Sequence, residues 1–314
     1  MAEPDIRGSV HPERVEFLVI GECVADVVRT PGRPDRAHPG GSPANVAFGL
    51  ARLGHRTTLL TQLGQDPMGD LIRVHLSSAG VSVLTDGQEP PTPTAIVTLD
   101  ERGSAAYEFA IGWSLRTTAV PQARHVHLGS LASVLEPGAG TARRLLRELR
   151  ASGATVSYDP NIRPALFGER ARGVAAVEEC VALSQIVKAS DEDLEWLYPG
   201  VPVRESAARW LTLGPRAVVV TCGGEGAFAL TPDGEFRIAA APAEVVDTVG
   251  AGDSFMSALL VTLAGREADA QAVPSALRAA AAAAAITVSR AGANPPTTAE
   301  LTAALSVRPD WIRR

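Results

Sequence analysis

Short apolar runs alternate with amphipathic, capped segments along most of this chain, and that alternation leaves few architectures open. Val15–Gly21, Thr57–Leu63, His125–Gly129, Ala154–Asp159, Gln185–Ala189 and Arg216–Thr221 are apolar, and most end in glycine or a polar residue. The helix signals between them are local. Ser42 with Pro43 opens one helix, since proline at the first position loses only a donor that has no partner there. Val46, Ala47, Leu50 and Leu53 mark its apolar face, and Gly54 stops it. Asp66 with Pro67 opens another, which Gly80 ends. Strand-then-helix repetition makes the strands parallel, because a crossover helix carries the chain back to the same end of the sheet. The expected fold is α/β, a mostly parallel central sheet flanked by helices on both faces, with ligands beyond the carboxyl ends of its strands.

Two stretches break the alternation. Residues 24–39, and 94–111 around the turn Asp100-Glu-Arg-Gly103, read as extended hairpins rather than strand–helix units. They predict a small β lid beside the main sheet. No stretch is long or polar enough to separate domains, so residues 1–314 form a single domain carrying that lid.

Composition narrows the function. A formal net charge of −6 argues against a general nucleic-acid or membrane-surface binder. Cys23, Cys180 and Cys222 are widely spaced and match no zinc pattern, which fits a reducing, cytoplasmic setting. The opening residues lack a signal-peptide pattern, and the alanine run Ala279–Ala285 is too short to span a bilayer, so it reads as a buried helix.

Chemistry concentrates in two glycine-containing segments. In Asp247-Thr-Val-Gly-Ala-Gly-Asp253, a turn of small residues runs into the apolar helix Ser-Phe-Met-Ser-Ala-Leu-Leu. Gly250, Ala251 and Gly252 let the backbone turn and approach a ligand, and the helix's unpaired N–H groups suit a phosphate. Asp253 then stands where it can take a proton from an attacking hydroxyl. The plainer reading is a glycine-rich helix entry with an aspartate favoured by the dipole. Near the N-terminus, Gly21-Glu-Cys-Val-Ala-Asp26 ends the first strand, and Pro39-Gly-Gly-Ser-Pro-Ala-Asn45 opens a helix. Asp26 and Asn45 can bracket a polyol, with Gly40 and Gly41 clearing bulk or acting as hinges. Taken singly, Asp26 is equally a loop carboxylate and Asn45 a first-turn helix residue.

A GGxPAN segment followed some two hundred residues later by DTxGAGD resembles the paired signatures of the ribokinase-like (PfkB) sugar kinases, over about residues 15–305. Ser157-Tyr-Asp-Pro-Asn-Ile-Arg163 and Val187–Glu195 are most similar to the fructokinase and 2-keto-3-deoxygluconate kinase branches. The resemblance implies a three-layer sandwich with a β-sheet lid, and phosphorylation of a sugar hydroxyl by ATP with Mg²⁺. It makes Asp253 the general base and Gly250, Ala251 and Gly252 the anion hole. It gives the sugar to Asp26, Gly41 and Asn45, and places Arg163 near the sugar or the moving phosphoryl group. Thr221, Gly223 and Gly226 would lie along the nucleotide, with Asn294 near its base. These roles suit phosphoryl transfer, which asks a protein mainly for alignment and charge neutralisation.

The chain departs from the family pattern in places. Where many members have Asn-x-x-Glu, it has Ser190 and Asp193, leaving Asp193 to hold Mg²⁺ through water. Asp247 matches a loop that binds a monovalent cation in some relatives, but Pro296 in the facing loop offers no side-chain oxygen. The lid segment Tyr107–Trp113 lacks an arginine that a sugar acid would need, and Arg102 and Arg116 flank it in solvent. The expected reaction is therefore fructose to fructose 6-phosphate. Alternatives are 2-keto-3-deoxygluconate, another ketose or a riboside. From other classes come a catalytically silent sugar- or nucleotide-binding regulator, and a dinucleotide oxidoreductase, which the missing GxGxxG turn disfavours. His125 and His127 share a strand face with no third ligand at a suggestive spacing and read as structural, and Trp196, Trp210 and Trp311 as packing residues. Exposed lid hairpins pairing across a two-fold axis make a homodimer the expected assembly.

Overall fold

A computed structural model describes residues 15–30, 32–99, 105–264 and 272–306. The chain runs β1 (Val15–Ile20), β2 (Val24–Arg29), β3 (Arg36–Gly40), α1 (Ser42–Arg52), β4 (Thr57–Leu60), α2 (Pro67–Ser78), β5 (Ser82–Leu84), β6 (Thr94–Leu99) and β7 (Ala105–Ala110). It continues through β8 (Ala123–Gly129), α3 (Gly138–Ala151), β9 (Thr155–Asp159), α4 (Pro164–Phe167), α5 (Arg170–Leu183), β10 (Ile186–Ser190), α6 (Asp191–Leu197) and α7 (Val203–Thr212). The last elements are β11 (Ala217–Thr221), β12 (Ala227–Thr231), β13 (Gly234–Ile238), α8 (Ala251–Leu263), α9 (Ala272–Val288) and α10 (Thr298–Ser306). All six strands expected from the apolar runs are present. The turn at Asp100–Gly103, with Arg102, and Trp311 lie outside the described residues.

Among the described residues the main sheet has nine strands in the order β13-β12-β11-β10-β9-β8-β1-β4-β5. The seven from β11 to β5 pair in parallel, while β12 and β13 add an antiparallel edge. Each strand divides its side chains between two cores, as period-two alternation requires. Phe17 and Val19 of β1 face the layer built by α1, α2, α8 and α9, and Leu18 and Ile20 face the layer built by α3, α5 and α7. Burial on both faces is why these strands read as unbroken apolar runs. The alanine run sits in α9, where Ala279–Ala283 are buried and their small side chains let α8 pack closely. No helix among the described residues is long and apolar enough to cross a membrane.

The two irregular stretches form a separate four-stranded sheet, β3-β2-β6-β7. In it β2 pairs antiparallel with β3 and parallel with β6, which pairs antiparallel with β7. Only Gly21–Cys23 separate β1 of the large sheet from β2 of the small one, so the small sheet hangs at the carboxyl edge of the main one. Trp113, in the segment expected to belong to the lid, is instead buried in the core beside α3.

Trp210 of α7 is fully buried, and its Nε1 donates to Tyr198 Oη at 2.7 Å, while that hydroxyl donates to Glu178 at 2.7 Å. Trp210→Ala removes this packing and the indole donor to Tyr198, so urea unfolding should show a loss of about 3–5 kcal/mol. A loss below about 1 kcal/mol would mean that the α7 layer is not part of the cooperative core.

Candidate active site

The amino ends of α1 and α8 lie side by side beyond the carboxyl edge of the sheet. Asp253, in the first turn of α8, is buried and held at both carboxylate oxygens. Ser42 Oγ donates to its Oδ1 at 2.7 Å, and Asn45 Nδ2 donates to its Oδ2 at 2.8 Å. Ser42 is therefore not the helix cap that the sequence suggests. Gly41 takes the N-cap position with φ of 96°, which turns Ser42 into the first helical residue and aims its hydroxyl at α8. A Cβ at Gly41 would also stand 2.6 Å from the Glu22 carbonyl, so the chain crosses close over itself there. Gly250 caps α8 in the left-handed region at φ 75°, where L side chains are strained. In the first turn behind it the Ala251 amide donates to the Thr248 carbonyl at 3.2 Å, which leaves the amides of Gly252 and Asp253 as the helix-end donors that an anion could take.

A cavity of roughly 640 Å³ opens in front of Asp253. The structure brings Asp26, Gly41, Asn45, Arg163, Gly250, Gly252 and Asp253 together in its wall. Ala251 lies between two of these as the first residue of α8. Asp26 reaches the cavity from β2 of the small sheet, resting over Gly40. Partial burial raises its pKa, while the charges of His38 and Arg163 pull it back down. Arg163 Nη1 donates to Asn161 Oδ1 at 2.8 Å and to the Ile162 carbonyl at 3.0 Å, which fixes its head at the rim.

Glu22 and Glu192 also line this cavity, and sequence reasoning did not single them out. Glu22 is buried, accepting from the amides of Leu131 at 3.4 Å and Ala132 at 3.1 Å. Burial pushes its carboxyl up to about 7, against those amides and the Ser130 hydroxyl. Ser130 itself has φ of 54°, a strained value beside the same wall. Deeper still, Lys188 Nζ on β10 lies 2.9 Å from Asp159 Oδ2 on β9.

The residues expected along a nucleotide lie outside that cavity lining. Thr221 ends β11, with its hydroxyl 3.4 Å from the Ala189 carbonyl. Gly223 and Gly226 form the tight turn into β12, closed by the Cys222 amide on the Gly226 carbonyl at 2.8 Å. A smaller concavity of roughly 230 Å³ adjoins this turn, lined by Cys222, Glu225, Phe228 and Arg237. Asn294 lies in the loop before α10, its amide on the Gly292 carbonyl.

Two carboxylates expected near metals are occupied by backbone. Asp193 Oδ1 accepts from the Ile162 amide at 2.7 Å, and Oδ2 from Ser190 in a capping box that starts α6. Asp247 accepts from Val249 at 3.0 Å and Gly292 at 2.8 Å, and these hydrogen bonds lower its pKa. It thus ties together the two loops expected to hold a monovalent cation. Among the described residues no three metal-binding side chains converge; Glu192 lies in the cavity wall. His125 and His127 are buried and share Ser157: His125 Nε2 lies 2.7 Å and His127 Nδ1 2.9 Å from its Oγ.

Residues 16–300 match the model of the pfkB family of carbohydrate kinases. The chain belongs to that family. It is 33% identical over 258 residues to a fructokinase of Salmonella typhimurium, covering 78% of this chain and 83% of the relative. A double mutant of fructokinase from Vibrio cholerae O395, solved in its fructose, ADP and potassium ion bound form, superposes with a TM-score of 0.82 at 26% identity. That match covers 93% of this chain and 99% of the other. Aminoimidazole riboside kinase from Salmonella enterica, solved with aminoimidazole riboside and an ATP analogue, gives 0.79 at 26% identity, covering 92% and 99%.

The Glu22 carboxyl sets a pH signature. Its pKa is raised in the folded state, so the native protein holds the proton more tightly than the unfolded chain. Its contribution to stability therefore falls as pH rises from 4.5 to about 7 and is flat above that. Glu22→Gln should gain about 2–3 kcal/mol on the wild type between pH 5 and 8 in urea unfolding. A difference between the two proteins that is constant with pH would show that Glu22 titrates normally.

Proposed function

We propose that this chain transfers the γ-phosphoryl group of ATP to the 6-hydroxyl of fructose. The observation that carries the reading is Asp253, fixed by Ser42 and Asn45 at the open amino end of α8, in one cavity with Asp26 and Arg163. With both oxygens already oriented, Asp253 presents a remaining lone pair to a hydroxyl and takes its proton as the phosphorus–oxygen bond forms. The first-turn amides of α8 receive the charge on the transferring group. Asp26 and Arg163 hold the other sugar hydroxyls, Asp26 as acceptor and Arg163 as donor. Mg²⁺ bound with the nucleotide supplies further neutralisation of the phosphate oxygens.

A neutral ketose fits better than a sugar acid. Arg163 is the cation in the cavity lining, and it is committed to Asn161 and sits in the field of Asp26. Val24, Ala95 and Ile111 add apolar surface to the same lining. A riboside is the second reading, because Phe109 stands exposed at the rim, where a base can stack on it. For assembly we favour a homodimer through the small sheet, whose edge strands β3 and β7 carry unpaired backbone groups. Three free cysteines support a cytoplasmic setting.

ADP release from Mg-ATP across fructose, ribose, glucose, 2-keto-3-deoxygluconate and adenosine tests this directly. Fructose should stimulate most; stimulation by adenosine alone would transfer the reading to ribosides. Asp253→Asn should cut kcat by about 10²–10⁴ with little change in sugar binding. Ser42→Ala frees one Asp253 oxygen and should lower kcat by about tenfold, the loss of one charge-assisted hydrogen bond. Equal turnover in either variant would remove that residue from the mechanism.

A further inference from the structure

Four charged side chains gather beneath the first turn of α8, and the steps above use only one of them. Lys188, third residue of β10, is buried with its ammonium on Asp159 at the end of β9. Burial alone would strip its proton, yet the fields of Asp159, Asp193 and Asp253 outweigh burial and hold the amine above its ordinary value. Burial pushes Asp159 up against the pull of Lys188, and the 2.9 Å separation of the two groups is that of an ion pair. His127, buried nearby, is pushed down to about 3, first by burial, and adds no charge.

The ammonium also lies against the anion-binding turn. A Cβ built on Gly252 would stand 3.5 Å from Lys188 Nζ, and Gly252 lines the cavity. Three carboxylates therefore surround this one cation, and of the four groups Asp253 is the one that lines the cavity. The end of a helix offers only about half a unit of positive charge, too little against three carboxylates and an incoming phosphate. A buried ion pair is also a poor way to stabilise a fold, since well-packed apolar residues commonly do as well or better. Its value here lies in where the charge is placed.

We propose that Lys188 is a positioning residue for phosphoryl transfer: clamped by Asp159, its ammonium is the fixed positive charge behind the Gly250–Gly252 turn that lets the phosphoryl group and Asp253 stand together. The pair is oriented before substrate arrives, so it needs no reorganisation during the reaction. This inference rests on the kinase reading above.

The test separates charge from structure. Lys188→Met alone leaves Asp159 buried and unpaired, so the informative variant is Lys188→Met with Asp159→Asn, which removes both charges and spares the fold. It should melt cooperatively and keep KM for fructose within about threefold, while kcat falls by about 10²-fold, the low end for loss of a preorganised electrostatic group. Lys188→Arg, which keeps the charge, should stay within about tenfold of wild type. In calorimetry, the double variant should bind β,γ-imido-ATP about tenfold more weakly and adenosine unchanged. Wild-type kcat in the double variant would show the pair to be structural and overturn the proposal, as would unchanged affinity for the analogue. Because that binding measurement needs no turnover, a wild-type protein that phosphorylates no sugar would sink the fructose reading while the analogue data still decide on Lys188.

Discussion

Two helix ends held side by side are the constraint on which this site depends. Ser42 and Asp253 are 211 positions apart in sequence and 2.7 Å apart in space. The helices that carry them touch closely: Ser257 Oγ of α8 donates to the Val46 carbonyl of α1 at 3.1 Å, and a Cβ at Gly49 would meet that hydroxyl at 2.4 Å. This packing puts a carboxylate acceptor and the amino end of a helix within one turn of each other. Neither helix alone provides that combination. The large sheet beneath serves to aim both helices at the same point, because its seven parallel strands deliver their carboxyl ends to one edge.

The site also divides by dielectric environment. The sugar side is partly open, and Asp26 and Arg163 sit at a rim where water still screens them. The phosphoryl side is closed, with Asp253, Asp159 and Lys188 all buried. Fields are long-ranged on the closed side and short-ranged on the open one, so the same unit of charge does more behind α8 than at the lid. In the proposed reaction, sugar recognition accordingly relies on hydrogen-bond geometry and phosphoryl transfer on placed charge.

Much of this was legible in the sequence, for physical reasons that differ by element. The parallel strands announced themselves because burial on both faces demands unbroken apolar runs, and β1 and β8 through β11 each begin within two residues of where those runs place them. The small sheet was legible because its segments lacked helix signals. Asp253 and Asp26 were singled out because glycine turns and helix entries mark where backbone meets ligand, and Arg163 through the family resemblance alone; all three line one cavity. Ser42 was read as a cap, since Ser-Pro before an apolar stripe is a helix start wherever it occurs. Only the φ of Gly41, set by its crossing over Glu22, shifts the cap back by one residue and frees the hydroxyl. Glu22 and Lys188 were missed for a related reason. Glu22 follows an apolar strand and Lys188 sits inside one, and nothing local says which carboxylates or amides the fold will bring to either.

Gly250 and Ala293 constrain one another's evolution. A Cβ at Gly250 would come within 2.5 Å of the Cβ of Ala293, so the turn before α8 is nested against a loop more than forty positions later. Any drift at position 293 toward a larger residue would push on the turn that carries the anion site, and any side chain at 250 would push on the loop. The two positions should therefore covary as a small–small pair across related sequences, and a library that randomises either one would be depleted of larger residues there.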